Sequence, residues 1–411
     1  MSLKNKLLVN AGWLFAGQTL QKVISYLIIL LIGRTLGDVG LGQYSFIISF
    51  AGFVSYLSDF GINYYIMREL ARNKKNKELM NHALSFKVLL AVLDWFLLVF
   101  LALHLDKEYT VKIGIILYGS ASVFSTIGLF FSSIMFAHEV TKYETISLLV
   151  ERVLTLLIGG IVLLKWKDLF MFLIVLTINM FISNFLRIYF GSKFGKPRFS
   201  FMPQKWIRVL TSSYLFWFIY IFSFIYYNTD IIMLGLMKTD DVVGWYKAGY
   251  FFIQAAMLVP AVVVNTALPS ISRLWVEDKN TLRVLFNKAF QILGIFGILG
   301  SLGSFVLAPW LIKIFFGFQF SNSTVVLQIL AWSMLPTFVN ALYGSFLNGI
   351  GKEKEYTKIV GFSALLNVIL NYILILTLSY KGAAIATVVT KWLSMLILSI
   401  KVYNVIRQIK R

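Results

Sequence analysis

Apolar residues in this chain run on for too long to be strands, and they lack the polar face of a soluble helix. About twelve stretches, near 8–33, 41–63, 83–105, 111–136, 145–164, 169–191, 210–236, 245–271, 286–312, 323–348, 359–379 and 382–403, approach the roughly 20 residues that cross a bilayer as a helix. Lipid satisfies no backbone polar group, so stretches of this length predict an all-α integral membrane protein rather than a barrel. The longest polar connection, Ser192 to Arg208, carries Pro197 and Pro203 and falls mid-chain. It divides the spans six and six, predicting an N-terminal six-helix lobe at 1–195, a linker at 196–209 and a C-terminal six-helix lobe at 210–411.

One passage occurs in both halves. Gly33, Asp38, Gly42 and Tyr44 recur as Gly235, Asp240, Gly244 and Tyr246, each 202 residues later. Internal repeats of multi-helix units build many transporters, and an even number of spans per half gives both the same orientation. Each copy falls in the hairpin between the first two spans of its half. The same offset sets Lys22 against Phe224, Gln18 against Tyr220 and Asp230 against Ile28.

Composition agrees with the pattern. Charged residues are 14% of the chain, little more than half the usual share of a soluble domain, and mean hydropathy is +0.79. The net charge of +20 gathers in alternate loops, among them Arg68 to Lys77, Lys193 to Arg208 and Lys352 to Lys358. By the positive-inside rule, both termini and the linker are cytoplasmic in a cell membrane, with anionic lipid headgroups rather than nucleic acid as the contact. Cysteine is absent, which excludes disulfides and thiol chemistry. The apolar span after Lys4 and Lys6 is too long for a signal-peptide core and reads as a retained first span.

Proline is concentrated in the second half. Pro260 and Pro269 lie in the eighth span, Pro309 is expected to end the ninth and Pro336 to interrupt the tenth, as kinks or as hinges. Gly159 with Gly160, and the series Gly294, Gly297, Gly300 and Gly303, read as close-packing faces.

Ionisable groups within spans each need a partner, a cavity or a route to the surface. Lys22 lies midway along the first span, in a polar stripe with Asn10, Gln18, Gln21 and Ser25. The helix from Lys22 to the cytoplasmic face is about 20 Å long, beyond the reach of one snorkelling lysine. A cation facing a cavity is the favoured reading. Asp59 suits a salt bridge at the basic loop as well as a transport role. Lys87 and Asp94, seven residues apart in the third span, are spaced to share a face and pair. Glu151 and Arg152 point to different faces and are expected to pair with other helices, whereas Arg187 is read as structural, snorkelling from the end of the sixth span. Asp230 lies deeper, in the seventh span, and Lys391 is mid-span in the last. His82, His104 and His138 lack metal-ligand spacing, and there is no phosphate-cradling glycine–lysine loop. These observations predict a transporter rather than an enzyme, with no cofactor.

The stretch from Asp59 through Gly61 to Glu69 resembles the end of the second span in Wzx-type polysaccharide flippases. So do Asp230 to Gly235, Val243 to Tyr250, and Pro260 to Arg273. The resemblance covers essentially the whole chain and places it in the multidrug/oligosaccharidyl-lipid/polysaccharide exporter superfamily. It implies two six-helix lobes around a central cleft, and a sugar chain on a polyprenyl phosphate or diphosphate as substrate, moved between leaflets. Partners would include membrane lipids and the glycosyltransferases or polymerase of the same pathway. On that reading Lys22 meets the phosphate, because a desolvated anion needs a counter-charge. Gln18, Gln21 and Ser25 would hydrogen-bond sugar or phosphate, with Arg152 and Lys391 as further cations, and Asp230 and Asp59 would serve ion coupling or a lobe contact. A cation-coupled drug or metabolite exporter is the nearest rival. A membrane glycosyltransferase or ligase would need a catalytic base and a long external loop, neither of which the sequence offers.

Overall fold

The computed structural model describes residues 3–57 and 59–409, with side chains at residues 12, 16–57, 59–214, 216–218 and 220–407. The side chain of Asn10, and Lys410 and Arg411 of the basic tail, lie outside the described residues. Among the described residues every regular element is a helix. In order these are α1 (Leu3–Leu57), α2 (Ile62–Arg72), α3 (Lys77–His104), α4 (Tyr109–Ala137), α5 (Lys142–Leu154), α6 (Gly160–Lys165), α7 (Leu169–Ser192) and α8 (Pro203–Met237). Then follow α9 (Asp240–Ala256), α10 (Leu258–Glu277), α11 (Lys279–Phe315), α12 (Ser321–Ala331), α13 (Met334–Gly349) and α14 (Glu353–Ile409). Short polar residues start several of them. Asn76 accepts from the Leu79 amide at 3.0 Å, Asp168 from Met171 at 2.8 Å, and Asp278 from Asn280 and Thr281 at 3.0 and 3.1 Å.

Among the described residues nine helices are long and apolar enough to cross a membrane, or ten if α12 and α13, bent by 49°, form one span. That count does not reach the twelve expected. The difference falls on Ala16–Leu57 and Glu353–Arg407, which the sequence pattern divides in two. Each contains a break in the helical backbone, at Gly37 (φ 75°, ψ −168°) and at Ser379 (φ 53°, ψ −134°). The chain reverses at Ser379. Asn367 Nδ2 donates to Thr390 Oγ1 at 3.3 Å, whereas 23 residues of unbroken helix would hold those positions about 34 Å apart. It also reverses after Gly37. Gly17 packs on Thr145 at the start of α5 and Leu31 on Gly160 at the start of α6. Gln43 then meets Glu108, Lys167 and Asp168 in one cleft at the far end of that helix pair.

Contacts group the chain into two units: Met1–Leu36 with Gln43–Phe224, and Gly37–Gly42 with Ile225–Arg411. The change from one unit to the other falls within α8, and the short Gly37–Gly42 segment belongs with the second unit. In the first unit a core of Ile62, Ile66, Leu70, Phe130 and Ile134 includes Trp206 from the start of α8. The segment before α8 is tied to α3: the amides of Arg198 and Ser200 donate to Asn81 Oδ1 and Ser85 Oγ, both at 2.7 Å. In the second unit Leu282, Phe286, Leu342, Phe346 and Leu398 form the core of α11, α13 and the end of α14.

The repeated passage packs against itself inside the second unit. Gly42 lies directly on the Asp240 carbonyl, and Gly244 lies on the Asp38 carbonyl. A Cβ at either glycine would collide with backbone, so the two hairpins approach to a distance only glycine allows. Trp245 Nε1 closes the contact by donating to Asp38 Oδ2 at 2.7 Å.

Breaks in the helices follow proline and glycine. Pro260 and Pro336 are each the third residue of a helix, α10 and α13, after a break at Met257 and at Trp332–Ser333. First-turn amides have no intrahelical partner, so proline costs no hydrogen bond there. The freed Trp332 carbonyl accepts from Trp392 Nε1 at 2.9 Å. Pro309 does not end its helix, contrary to expectation; α11 continues through it to Phe315. A π-turn at Thr155–Gly159 separates α5 from α6. Gly159 and Gly297 do pack closely, on Phe172 and Leu335, whereas Gly294 and Gly303 face open space and correct the close-packing reading there.

Gly42→Leu and Gly244→Leu are each expected to lower the melting temperature of the purified protein by forcing the same backbone contact apart. Overpacking of this kind costs about 1–3 kcal/mol. Gly303→Ala, with nothing near its Cβ among the described residues, should not destabilise, and should gain about 0.5–1 kcal/mol from helix propensity. Thermal unfolding in detergent compares the three.

Candidate functional site

The first half of α1 has a packed side and an open side. Gly17, Ile24, Ile28 and Ile32 are buried at near-helical spacing. Lys22 and Gln18 are exposed on the other side, and Gln21 and Ser25 flank them half-buried. On a helical wheel these four polar residues fall within an arc of about 100°. Ser25 Oγ donates to the Gln21 carbonyl at 2.9 Å, which leaves its lone pairs to accept from a ligand. Among the described residues Lys22 makes no ion pair or hydrogen bond, so its ammonium is uncommitted on an otherwise apolar rod.

Arg152 lies beside this helix. The contacts of Gly17 with Thr145 and Leu31 with Gly160 set Arg152 level with Ile24, within a turn of Lys22 along the axis. Arg152 and Glu151 were expected to find partners on other helices; they pair with each other at 3.3 Å. Adjacent side chains diverge at Cβ, but the long guanidinium arm reaches back to the buried carboxylate. Arg187 is likewise not a snorkelling residue. It is buried, donating through Nε and Nη2 to both Glu144 oxygens at 3.2 and 3.1 Å and through Nη1 to Asn184 Oδ1 at 2.8 Å. Ser132 Oγ donates to the same carboxylate. The pair is bidentate and desolvated, the geometry in which a buried ion pair holds.

Asp59 sits at the break between α1 and α2, where Phe60 (φ 46°) and Gly61 (φ 69°) take left-handed conformations. Its carboxylate accepts from Lys87 Nζ of α3 and from Asn63 Nδ2 at 2.7 Å, and Lys87 also donates to Asn63 Oδ1 at 2.8 Å. Trp217 stacks on Phe60 at 5.1 Å and donates to the Leu57 carbonyl at 3.1 Å. Asp59, and not Asp94 as the spacing predicts, takes Lys87, and it fastens a bent segment inside the first unit.

In the second unit Asp230 of α8 is 5% exposed and gathers donors from three other helical segments. Tyr246 Oη of α9 donates to its Oδ2, as does Thr387 Oγ1 at 2.6 Å, from the second half of α14. Asn371 Nδ2, from the first half of α14, donates to Oδ1 at 2.6 Å and reaches the Asn367 carbonyl at 3.0 Å. All these donors are neutral. Asn371 Oδ1 is buried with no hydrogen-bond partner among the described residues, an acceptor left open beside a carboxylate.

Lys391 stands one turn beyond Thr387 and is 5% exposed. Its Nζ lies over the rings of Tyr226 and Tyr227, 3.7 and 4.8 Å from their centroids, as a cation on π faces. It is within Coulombic reach of Asp230. Two residues that the sequence separated by role are thus neighbours in one network. Lys22 and Arg152 belong to the first unit, with Asp59; Asp230 and Lys391 belong to the second. Sequence reasoning missed Tyr246, Asn367, Asn371 and Thr387. The available signal was polar residues one turn apart in apolar spans, Asn367 with Asn371 and Thr387 with Lys391.

This arrangement has known relatives. The family model described as "Polysaccharide biosynthesis protein" matches residues 7–275, and the MatE model matches residues 216–373. The chain is 26% identical over 167 residues to the probable low-salt glycan biosynthesis flippase Agl15 of Haloferax volcanii, a match covering 40% of this chain and 35% of that one. The fold of the lipid II flippase MurJ in an inward closed conformation superposes with a TM-score of 0.81 at 16% identity, over 95% of this chain and 87% of that one. An inward-facing multidrug resistance MATE family transporter of the MOP superfamily gives 0.76 at 12% identity, over 95% of both chains. The two-lobe helical membrane fold expected from the sequence is the fold of these structures. The chain belongs to the polysaccharide biosynthesis protein family and is a multi-pass membrane protein.

Removing one member of the buried Glu144–Arg187 pair is expected to cost about 3–5 kcal/mol, because it leaves the other charge uncompensated. Glu144→Ala should therefore unfold at lower temperature, and the double variant Glu144→Leu with Arg187→Met should recover most of the loss. Thermal unfolding of the three purified proteins checks the order.

Proposed function

We propose that this chain is a flippase that moves a polyprenyl-(di)phosphate-linked oligosaccharide from the cytoplasmic to the outer leaflet of the cell membrane. The observation that carries the reading is the uncommitted Lys22 ammonium on the open, polar side of α1, in a member of the polysaccharide biosynthesis protein family. The prenyl tail stays in lipid while the charged head and sugar cross inside the protein by alternating access. Lys22 neutralises the phosphate, Gln18 and Gln21 donate to sugar or phosphate, and Ser25 accepts from a sugar hydroxyl. Arg152, shared with Glu151, is a second cation at the same depth. Asp230 is the group proposed to couple transport to a cation or proton, with Asn371 Oδ1 as an open acceptor beside it. Enzymes that build and polymerise the glycan on the same carrier would supply and consume the substrate.

A second reading, a cation-coupled drug or metabolite exporter, is favoured by the MatE match across residues 216–373. Both readings meet in one experiment. In a deletion strain, the wild-type gene is expected to clear accumulated lipid-linked oligosaccharide and restore the surface glycan. Lys22→Ala, expressed at the same level, should lose about tenfold in rate, the equivalent of 1.4 kcal/mol, and Lys22→Arg should keep part of it. Unchanged glycan with altered drug tolerance on deletion would instead identify the exporter. Full export by Lys22→Ala would remove the phosphate role of that lysine.

A further inference from the structure

Lys391 is buried to 5% exposure, yet among the described residues its ammonium makes neither an ion pair nor a hydrogen bond. Its three N–H donors rest only on tyrosine faces. Asp230, one turn away through Thr387, does not close on it; Tyr246, Thr387 and Asn371 donate to three of the roughly four acceptor sites of its carboxylate. The attraction between the two charges acts across space without a contact. Lys391 is also held at its backbone, and one of the two rings beside its ammonium is exposed. Asn340 Nδ2 donates to the Lys391 carbonyl at 3.1 Å while Asn340 Oδ1 is buried without a partner among the described residues. Tyr227, the outer of the two rings, is 43% exposed, so one wall of the box meets the surroundings of the second unit.

We propose that Lys391, Tyr226 and Tyr227 form an anion subsite in the second unit that takes the phosphate of a polyprenyl carrier, and that this phosphate competes with Asp230 for the Lys391 ammonium. The identity of the ligand rests on the flippase reading; the competition rests on the geometry. When the phosphate draws the ammonium toward the Tyr227 side, Asp230 loses the positive charge it has nearby among the described residues and becomes a stronger site for a cation or proton. Binding at the two places is thereby linked in free energy, and the linkage is reciprocal. An ammonium already saturated by hydrogen bonds would have no such freedom. A carboxylate in direct contact with it would have to break an ion pair first.

Equilibrium binding of radiolabelled farnesyl phosphate to the purified protein in detergent, with protein-free micelles subtracted, tests the proposal. To remove the Lys22 site, the comparison is made in a Lys22→Ala background, which should still bind saturably; Lys391→Arg should retain that binding, and Lys391→Met should lose it. Asp230→Asn, which removes the competing charge and keeps the shape, should bind more tightly, by a factor within the roughly 5- to 150-fold range of coupled sites. Thr387→Val strips one donor from Asp230, strengthens its hold on the ammonium and should weaken binding, giving a second variant of opposite sign. Binding unchanged by Lys391→Met overturns the subsite. Binding unchanged or weakened in a folded Asp230→Asn protein overturns the competition while leaving the flippase reading in place. No binding by wild type overturns both.

Discussion

A carboxylate without water around it must find several hydrogen-bond donors, and in the second unit those donors come from separate helical segments. Asp230 draws on α9 and on both halves of α14, so the register of these segments against α8 is set by one side chain. Apolar contacts are poor at this task in lipid, where a leucine gains little by leaving one hydrocarbon surface for another. The first unit meets the same constraint with ion pairs. Glu144 with Arg187 ties α5 to α7, and Asp59 with Lys87 ties the bend after α1 to α3. Helices here are positioned by their few polar groups, and the many apolar ones fill the space between.

Against that background the uncommitted charges stand out. Arg187 and Lys87 are consumed in building the unit that holds them. Lys22 is exposed on the open face of its helix, and Lys391 is buried among rings without a hydrogen bond. A cation held in an apolar environment without a fixed partner is costly, and a chain under selection for stability alone would pair it or replace it. Under the flippase proposal, the ligand brings the missing anion to these open charges.

The apolar runs made the class and most helices legible in the sequence, because length and hydropathy follow directly from the thickness of the bilayer. The breaks were less legible. Pro309 lies inside α11, whereas Pro260 and Pro336 fall in the first turns of α10 and α13; what matters is whether the missing amide falls in a first turn, and sequence alone does not locate that turn. Long helices interrupted by one residue, at Gly37 and Ser379, account for the step from ten spans, with α12 and α13 counted as one, toward the twelve expected. For the site, single charges were visible and their partners were not. Periodicity sends Glu151 and Arg152 to different faces because it describes Cβ directions and not the reach of a guanidinium. The relation of Asp230 to Asn371 and Lys391 spans more than 140 residues of chain, and no local pattern predicts which polar groups a fold brings together.

The repeated glycine–aspartate passage was legible as a repeat, but its purpose emerges from the reciprocal packing of Gly42 on Asp240 and Gly244 on Asp38. Each copy is the surface against which the other is fitted. After a duplication, most paired positions are free to drift apart, as Lys22 and Phe224 or Asp230 and Ile28 have done. Here a change in either copy spoils a contact made by both, so the sequence can diverge at this place only by coordinated change. The faint symmetry that survives between the halves would then be a record of where the protein touches itself, preserved because each half is the other's constraint.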